Sequence, residues 1–352
     1  MNGSAVPKPR LIAWEITRSC NLNCRHCRAA ANAGPYSGEL TTDECERVLK
    51  NVSEYAKPII ILTGGEPMLR PDIFHLAEYG TALGLHMVMA PCGAMLTEEN
   101  CEKLVLSGIK RISLSIDGAD EKSHDSFRRV NGAFASVLKG IENAKKAGLA
   151  FQINTTITKL NLEQLPAIFD LASKLGAVSF HPFLLVPTGR GKELEEYEIS
   201  AVQYEQVLNW IYENRNRNLT MKPTCAPHYY RIFSQREKRE GREMVSKGHG
   251  ADAMTKGCLG GQGFAFISYN GTVQMCGFLD IAAGNLRKTE FDFIDIWENS
   301  QFFNEIRNYQ NYNGRCGKCD FMHLCGGCRA RAYASTGDYL AEEPYCIYTP
   351  RV

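Results

Sequence analysis

The stretch Cys20-Asn-Leu-Asn-Cys24-Arg-His-Cys27 carries three thiols, with three and then two residues between them, directly after an apolar run at 11–17. Thiolates are soft ligands that suit iron–sulfur clusters. Three cysteines on one loop can bind three corners of a [4Fe–4S] cube, which leaves the fourth iron open to a small molecule. A zinc site or a set of buried thiols would also explain the triplet taken alone.

Composition limits the class of protein. The 352 residues exceed one average domain, so we expect a large domain and a smaller one. A net charge near +1 gives no basic field that would attract nucleic acid, and no run of about twenty apolar residues predicts a membrane span. Residues 1–10 lack a secretory signal. We therefore expect a cytoplasmic protein, in an anaerobic setting, whose fourteen cysteines are metal ligands rather than disulfides.

Strand-like apolar runs alternate with helical segments from residue 11 to about 217, which predicts an α/β fold with a parallel sheet. The six predicted strands are 11–17, 58–63, 86–90, 111–116, 151–158 and 178–186. Thr41-Thr-Asp-Glu44 has the form of a capping box, and glycines stand where helices should end, at Gly84, Gly108, Gly148 and Gly176. After residue 217 the chain is richer in Cys, Gly and Tyr. We place a domain boundary near 220, with domains at 1–220 and 221–352, and interpret the charged segment 231–247 as solvated surface.

Thr63-Gly-Gly-Glu-Pro67 ends the second predicted strand, about forty residues after the thiol triplet. Together the two motifs resemble the signature of the radical S-adenosylmethionine (SAM) enzymes. The resemblance implies a partial (β/α)6 TIM-like barrel with its chemistry at the carboxyl ends of the strands. It also implies a [4Fe–4S] cluster on Cys20, Cys24 and Cys27 that binds SAM through the open iron. One electron would cleave SAM to methionine and a 5′-deoxyadenosyl radical, so a low-potential electron donor is an expected partner.

The same resemblance assigns residues to SAM binding: His26, Gly64, Gly65, Glu66, Ser115, Arg128, Asn154 and Leu185. For Ser115 and Arg128 a helix cap or a surface ion pair is the alternative. Cys92 stands where many relatives carry Thr-Asn-Gly, and we interpret it as a small buried residue rather than a substrate contact.

Seven later cysteines resemble the SPASM domain, which carries auxiliary [4Fe–4S] clusters. The resemblance implies one or two such clusters, the outer held by Cys316, Cys319, Cys325 and Cys346, and the inner by Cys258, Cys276 and Cys328. The usual Cys-x-x-x-Cys is shortened here to Cys325-Gly-Gly-Cys328. A fourth inner ligand is missing, so that iron is open to substrate, or Cys225 or another residue reaches it. Paired Cys-x-x-Cys motifs would also suit zinc, which makes this smaller α+β domain a possible zinc domain.

Three further runs, Ala13-Trp-Glu-Ile-Thr17, His26-Cys-Arg-Ala-Ala30 and Pro182 to Gly191, resemble radical SAM proteins of siroheme-dependent haem and haem d1 biosynthesis. This implies a tetrapyrrole substrate and the oxidative decarboxylation of two propionates of iron-coproporphyrin III to vinyls, with the released electrons passing to an auxiliary cluster. Candidate substrate contacts are Arg190, Cys225, His228 and Arg231, although an ordinary hydrophobic turn would explain the last three equally well. Alternatives are removal of acetate groups from didecarboxysiroheme, maturation of a ribosomal peptide, and a cluster-carrying protein without catalysis.

Overall fold

The computed structural model describes residues 6–242 and 256–350, and all strands in this part of the chain belong to one sheet. The strands follow in the order β10-β9-β8-β1-β2-β3-β4-β5-β6-β7 across the sheet. Their bounds are β1 Leu11–Thr17, β2 Ile59–Gly64, β3 His86–Met89, β4 Ile112–Ser115, β5 Phe151–Ile157, β6 Ser179–Leu184, β7 Thr220–Met221, β8 Phe264–Ile267, β9 Thr272–Cys276 and β10 Leu279–Asn285. The six predicted strands are confirmed to within two residues at each end.

Helices follow most of the parallel strands, as the alternating pattern predicts. The capping box is confirmed, because the Glu44 amide donates to Thr41 Oγ1 and the Thr41 amide donates to the Glu44 carboxylate. In the described residues the helices are α1 Thr42–Tyr55, α2 Ile73–Ala82, α3 Glu98–Leu106, α4 Glu121–Arg128, α5 Ala133–Lys146, α6 Leu165–Leu175, α7 Ala201–Glu213, α8 Tyr229–Arg239, α9 Phe293–Asn299, α10 Gln301–Arg307, α11 Gly314–Gly317, α12 Met322–Cys325 and α13 Arg329–Thr336. The four predicted C-terminal glycines have positive φ and follow α2, α3, α5 and α6. The charged segment begins within α8, and its residues 243–247 lie outside the described part of the chain.

Strands β1 to β7 are parallel and form the partial barrel. Along each strand, successive side chains point to opposite faces of the sheet. On β4 and β5, Ile112, Leu114 and Ile153 are buried against the helices, whereas Ser115 and Asn154 are half-buried on the opposite face. The inner face of this side of the barrel is therefore polar, unlike the apolar layers that fill an ordinary TIM barrel.

The Cys-rich segment continues the barrel sheet rather than standing apart from it. Strand β8 pairs in parallel with β1, from Leu11 beside Phe264 to Trp14 beside Ile267, and β9 and β10 add an antiparallel hairpin. Strand β7, at the opposite edge, lies where we placed the domain boundary. The boundary near residue 220 stays a prediction. Across residues 6–242 and 256–350, no helix combines the length and the apolar character needed to cross a bilayer.

Candidate active site

The loop after β1 holds the thiol triplet, and each of the three sulfurs accepts a hydrogen bond. The Leu22 amide donates to Cys20 Sγ at 3.4 Å, and the Ala31 amide donates to Cys27 Sγ at 3.4 Å. Arg128 Nη1 donates to Cys24 Sγ at 3.5 Å. Hydrogen bonds to the sulfurs are a general feature of iron–sulfur sites and tune their reduction potential. The donor set therefore fits the [4Fe–4S] cluster that the sequence predicts here.

Arg128 lies beside Cys24 of the cluster loop and forms a buried ion pair with Asp117. Burial acts to raise the pKa of Asp117, but the Arg128 guanidinium outweighs it and holds that pKa below its ordinary value. Asp117 also accepts the Thr156 amide at 2.8 Å, which ties the pair to β5. The charge of Arg128 is thereby engaged by a carboxylate and a cluster sulfur, and its contact with SAM stays a prediction.

The Gly-Gly-Glu segment is fastened to the start of the cluster loop. The Gly65 amide donates to the Thr17 carbonyl and the Glu66 amide to the Ser19 carbonyl, both at 2.8 Å. A Cβ on Gly65 would lie 2.2 Å from the Ser19 carbonyl oxygen, so a side chain does not fit at this close approach of two backbones. The glycines thereby set the position of Cys20. Their contact with SAM stays a prediction.

The Glu66 carboxylate is fully buried where β2 and β3 end, and burial raises its pKa. Its two oxygens accept the amides of Met68 at 3.0 Å and Cys92 at 2.5 Å. The half-buried Cys92 thiol points to the cluster loop, with its sulfur 3.7 Å from Asn21 Oδ1. Glu66 thus holds two strand ends together, and Cys92 lies beside the predicted cluster.

Ser115 and Asn154 are register partners at the carboxyl ends of β4 and β5, so their side chains stand side by side on the inner face. Gln152 Nε2 donates to Asn154 Oδ1 at 3.0 Å and lies 3.2 Å from His181 Nδ1 on β6. The sequence analysis missed Gln152 and His181. Their signal was the alternation Gln152-x-Asn154 and Ser179-x-His181, which marks a polar face on otherwise apolar strands.

His26 of the cluster loop and Leu185 both pack against Phe127. The His26 ring centroid lies 4.7 Å from that of Phe127, and Leu185 packs in a small cluster with Phe127 and Leu194. Burial lowers the pKa of His26 to about 4, and its Nδ1 atom is buried without a hydrogen-bond partner in the described residues. An orphaned polar atom beside Cys27 fits a ligand contact, so the assignment of His26 to SAM stays a prediction.

Arg190 contacts the cluster loop. Its Nε donates to the Cys24 carbonyl at 3.0 Å, its Nη1 to the Ala31 carbonyl at 2.7 Å, and its backbone amide to the Cys27 carbonyl at 3.0 Å. The sequence analysis took Arg190 as a contact for a substrate carboxylate. Its contacts with carbonyl oxygens on both sides of Cys27 favour a role in holding the cluster loop over contact with a substrate carboxylate.

In the Cys-rich segment, the thiols of Cys316, Cys319, Cys325 and Cys346 line one cavity. Three of these sulfurs accept backbone amides: Cys316 from Glu343 at 3.3 Å, Cys319 from Phe321 at 3.4 Å, and Cys325 from Gly327 at 3.4 Å. Four thiols with amide donors around one cavity fit the outer auxiliary cluster. These cysteines would hold it and bind all four irons.

His228 and Arg231 line the same cavity. Arg231 is buried and donates to Glu205 at 2.9 and 2.5 Å. His228 is fully buried, which lowers its pKa to about 4, and neither ring nitrogen has a hydrogen-bond partner in the described residues. Both residues were candidate substrate contacts. Their burial against the outer thiols favours a role in the wall of the cluster site instead.

The remaining thiols of this segment form a second group. The thiols of Cys258, Cys276 and Cys328 lie close enough to interact electrostatically with one another. The Cys225 thiol lies close enough to interact with all three. Within residues 6–242 and 256–350, no three His, Cys, Asp or Glu side chains are arranged to hold a single metal ion. Sulfur ligands of one zinc ion would be roughly 3.8 Å apart, given Zn–S bonds of about 2.3 Å in a tetrahedron. A cube spaces its thiolates more widely, so the lack of such a single-ion site in these residues does not speak against an iron–sulfur cluster at either group.

Comparison with known proteins agrees with the fold and the sulfur sites. The chain belongs to the radical SAM superfamily: the model of that superfamily matches residues 14–172, and that of the iron–sulfur cluster-binding SPASM domain matches residues 258–320. It is therefore a radical SAM enzyme, and its cofactors are SAM and iron–sulfur clusters.

Among curated proteins, the chain is 53% identical over 343 residues to the AdoMet-dependent heme synthase of Methanosarcina barkeri, with 97% of each chain covered. It is 51% identical to the AdoMet-dependent heme synthase of Nitratidesulfovibrio vulgaris, over 98% of this chain and 94% of the relative. Its identity to the Fe-coproporphyrin III synthase of Methanosarcina barkeri is 29%, over 97% and 88% of the two chains.

A solved structure supports the fold alone. Streptococcus suis SuiB bound to S-adenosylmethionine superposes with a TM-score of 0.73 at 19% identity, over 97% of this chain and 77% of that one.

Proposed function

We propose that this chain acts in haem biosynthesis and converts two propionates of iron-coproporphyrin III to vinyl groups, forming haem b. The observation that carries the proposal is the difference in identity between relatives. Identity is 53% to an AdoMet-dependent heme synthase, but 29% to a Fe-coproporphyrin III synthase and 28% to a mycofactocin maturase. A chain that removed acetate groups or modified a peptide would be expected to resemble one of the latter two more closely.

When bound, SAM and its cluster supply a carbon radical that removes one hydrogen atom from substrate. For each propionate, the hydrogen leaves the carbon β to the carboxylate, and cleavage of the bond to the carboxylate releases carbon dioxide. The side chain becomes a vinyl and gives up one electron. The chain must therefore bind carboxylates beside the cluster loop and provide an electron acceptor nearby.

Arg28 is our candidate for the residue that binds a substrate carboxylate. It follows the last barrel cysteine, its guanidinium lies 4.5 Å from the Phe266 ring centroid, and it is 3.7 Å from the buried Glu15 carboxylate. A Cβ on Gly277 would lie 2.8 Å from Arg28 Cδ, so this side chain extends from the cluster loop to the residue after Cys276. Arginine binds carboxylates in a bidentate manner. We assign Arg28 to a propionate, with the inner thiol group as the site of the electron acceptor.

Anaerobic incubation of the iron-loaded protein with SAM, dithionite and iron-coproporphyrin III, followed by mass spectrometry, tests the proposal. We expect two successive losses of the mass of formic acid from the porphyrin. Cys24→Ala should abolish both, whereas Cys45→Ala, which removes a buried helix thiol, should not. An unchanged porphyrin, together with loss of acetate groups from didecarboxysiroheme in a parallel incubation, would refute the proposal in favour of the sister reaction.

The assignment of Arg28 has its own test. Arg28→Ala should weaken the binding of iron-coproporphyrin III in an absorbance titration by roughly tenfold or more, since a hydrogen bond to a charged group contributes about 1.5–3 kcal/mol. The matched control is Arg129→Ala, because Arg129 forms an exposed ion pair with Glu193 on the surface. Equal affinity in the Arg28 and Arg129 variants would remove Arg28 from the substrate site.

A further inference from the structure

We propose that Cys225 is the fourth ligand of the inner auxiliary cluster, which is thereby closed by four protein thiolates: Cys225, Cys258, Cys276 and Cys328. The sequence left two possibilities, an iron open to substrate or an additional ligand. The contacts around Cys225 favour the ligand. They favour ligation over its assignment as a substrate contact. This inference concerns the protein's own sulfur ligands and does not depend on the identity of the substrate.

Backbone contacts bring the segments that carry these thiols together. The Gly257 amide donates to the Leu324 carbonyl at 2.7 Å, and the Cys258 amide donates to the Cys325 carbonyl at 3.1 Å. A Cβ on Gly257 would lie 2.8 Å from the Pro227 side chain and 2.3 Å from the Cys325 carbonyl oxygen. The turn at 225–227 is thus in direct contact with the residue before Cys258, which also contacts the turn that leads to Cys328.

Cys276 joins the same group from the hairpin. A Cβ on Gly260, two residues after Cys258, would lie 2.6 Å from the Met275 side chain, so the segment with Cys258 packs against the end of β9. Cys276 is the last residue of that strand. The segments that carry Cys225, Cys258, Cys276 and Cys328 therefore lie together, and each contributes one thiol.

A buried guanidinium fixes Cys225 relative to Cys328. Arg331, on the helix that begins after Cys328, donates to the Cys225 carbonyl at 2.9 Å and forms a fully buried ion pair with Glu343 at 3.2 Å. Glu343 in turn accepts the Cys328 amide at 2.8 Å. One ion pair thus positions the backbone of both cysteines. Cys225 also has φ +57°, which is uncommon for a residue other than glycine and shows how firmly its backbone is held.

Cys225 lies close to all three other thiols of this group. Thiolates are ligands that suit iron–sulfur clusters, so a fourth cysteine at this place completes a ligand set for one cube. In such a closed cluster every iron has a protein ligand, so the cluster serves as an electron acceptor and does not bind substrate directly.

The test isolates the auxiliary sites. In the triple variant Cys20→Ala, Cys24→Ala and Cys27→Ala, the barrel cluster is absent and two four-iron clusters should give about eight irons per chain. We expect brief anaerobic oxidation with ferricyanide to produce no [3Fe–4S] EPR signal in this background, because an iron held by a thiolate is retained. Adding Cys225→Gly should either produce that signal or lower the iron content to about four. Glycine removes the thiol and adopts the positive φ without strain.

Two further variants complete the test. Cys225→Ser keeps the side-chain size and offers an oxygen ligand, so the reduced inner cluster should show an altered EPR spectrum in folded protein. Cys45→Ala removes a buried thiol of helix α1, away from the sulfur sites, and should leave iron content and spectra unchanged. An equal [3Fe–4S] signal with and without Cys225, or an unaltered spectrum in Cys225→Ser, would overturn the inference. Neither measurement uses SAM or a porphyrin, so its failure would leave the proposed reaction untouched.

Discussion

Arg190 offers the sharpest distinction between a residue that binds substrate and one that holds the cluster loop. Its side chain donates two hydrogen bonds to carbonyl oxygens on opposite sides of Cys27. We predict that Arg190→Ala leaves porphyrin affinity unchanged but makes the barrel cluster labile. Arg190→Lys should rescue only in part, because a single ammonium group does not reproduce the planar fork that reaches both carbonyls.

The size of the effect follows from those two bonds. Hydrogen bonds from a charged donor contribute about 1.5–3 kcal/mol each, and partial solvent exposure of Arg190 reduces this. Together they should stabilise the closed loop by roughly 2–4 kcal/mol, which corresponds to a roughly 30- to 700-fold larger population of the open loop after their removal. If the barrel cluster loses iron only while the loop is open, the rate of iron release should increase by up to the same factor.

The assay follows the barrel cluster in time. Reduced protein is incubated anaerobically with an iron chelator, and the EPR signal that responds to added SAM is measured in wild type, Arg190→Ala and Arg129→Ala. The Arg129 variant loses only its exposed ion pair with Glu193 and should behave as wild type. An absorbance titration with iron-coproporphyrin III gives the affinity of each variant. Weaker porphyrin binding with a signal as durable as that of wild type would refute the reasoning and restore Arg190 as a substrate contact.

Three further predictions concern the supports of the sulfur sites. Gly65→Ala should lower iron incorporation at the barrel site and destabilise the fold by about 1–3 kcal/mol through overpacking, whereas Gly84→Ala, whose Cβ would meet nothing closer than 3.8 Å, should not affect iron content. Arg128→Met should lower the midpoint potential of the barrel cluster by on the order of tens of millivolts in an EPR redox titration, because loss of a positive charge beside Cys24 disfavours the reduced state. An unchanged potential would contradict it. Arg331→Met should cost about 3–5 kcal/mol in anaerobic urea unfolding, since it leaves the Glu343 carboxylate buried and unpaired; a change below 1 kcal/mol would contradict this.

Local patterns predicted the parallel strands because each needs only its own apolar run and the turn residues around it. The thiol triplet and the pair Cys316-x-x-Cys319 stand out for the same reason, since their spacing is short and specific; their roles as cluster ligands stay a prediction. The shortened Cys325-Gly-Gly-Cys328 also has a local explanation. Both glycines have positive φ, +73° and +63°, and a Cβ on Gly327 would lie 2.2 Å from the Arg329 guanidinium, so a tight turn of two glycines replaces the usual three residues.

Contacts between distant parts of the chain were not predictable. Arg190 contacts carbonyls 166 and 159 residues earlier, and nothing in its own neighbourhood distinguishes it from an arginine that binds a carboxylate. The pairing of β8 with β1 joins segments about 250 residues apart, which the composition change near 220 suggested were separate. The polar inner face of β4 to β6 is an intermediate case. Its alternation was present in the sequence, but the apolar residues between the polar ones dominated the interpretation.

Arg331 connects the auxiliary sites to the barrel, in addition to the pairing of β8 with β1. Besides Glu343 and Cys225, this guanidinium donates to the carbonyls of Leu184 and Leu185, where β6 ends, at 3.2 and 3.1 Å. A fully buried ion pair is weak evidence of net stabilisation, because desolvation offsets most of its Coulomb energy. Its geometric effect is specific, however, since one rigid planar group satisfies acceptors from the barrel, from the turn at Cys225 and from the segment before Cys346. Because Cys325 and Cys328 share a two-glycine turn, fixing the inner site in this way also fixes the outer one, and both auxiliary sites are held in register with the carboxyl ends of the barrel strands.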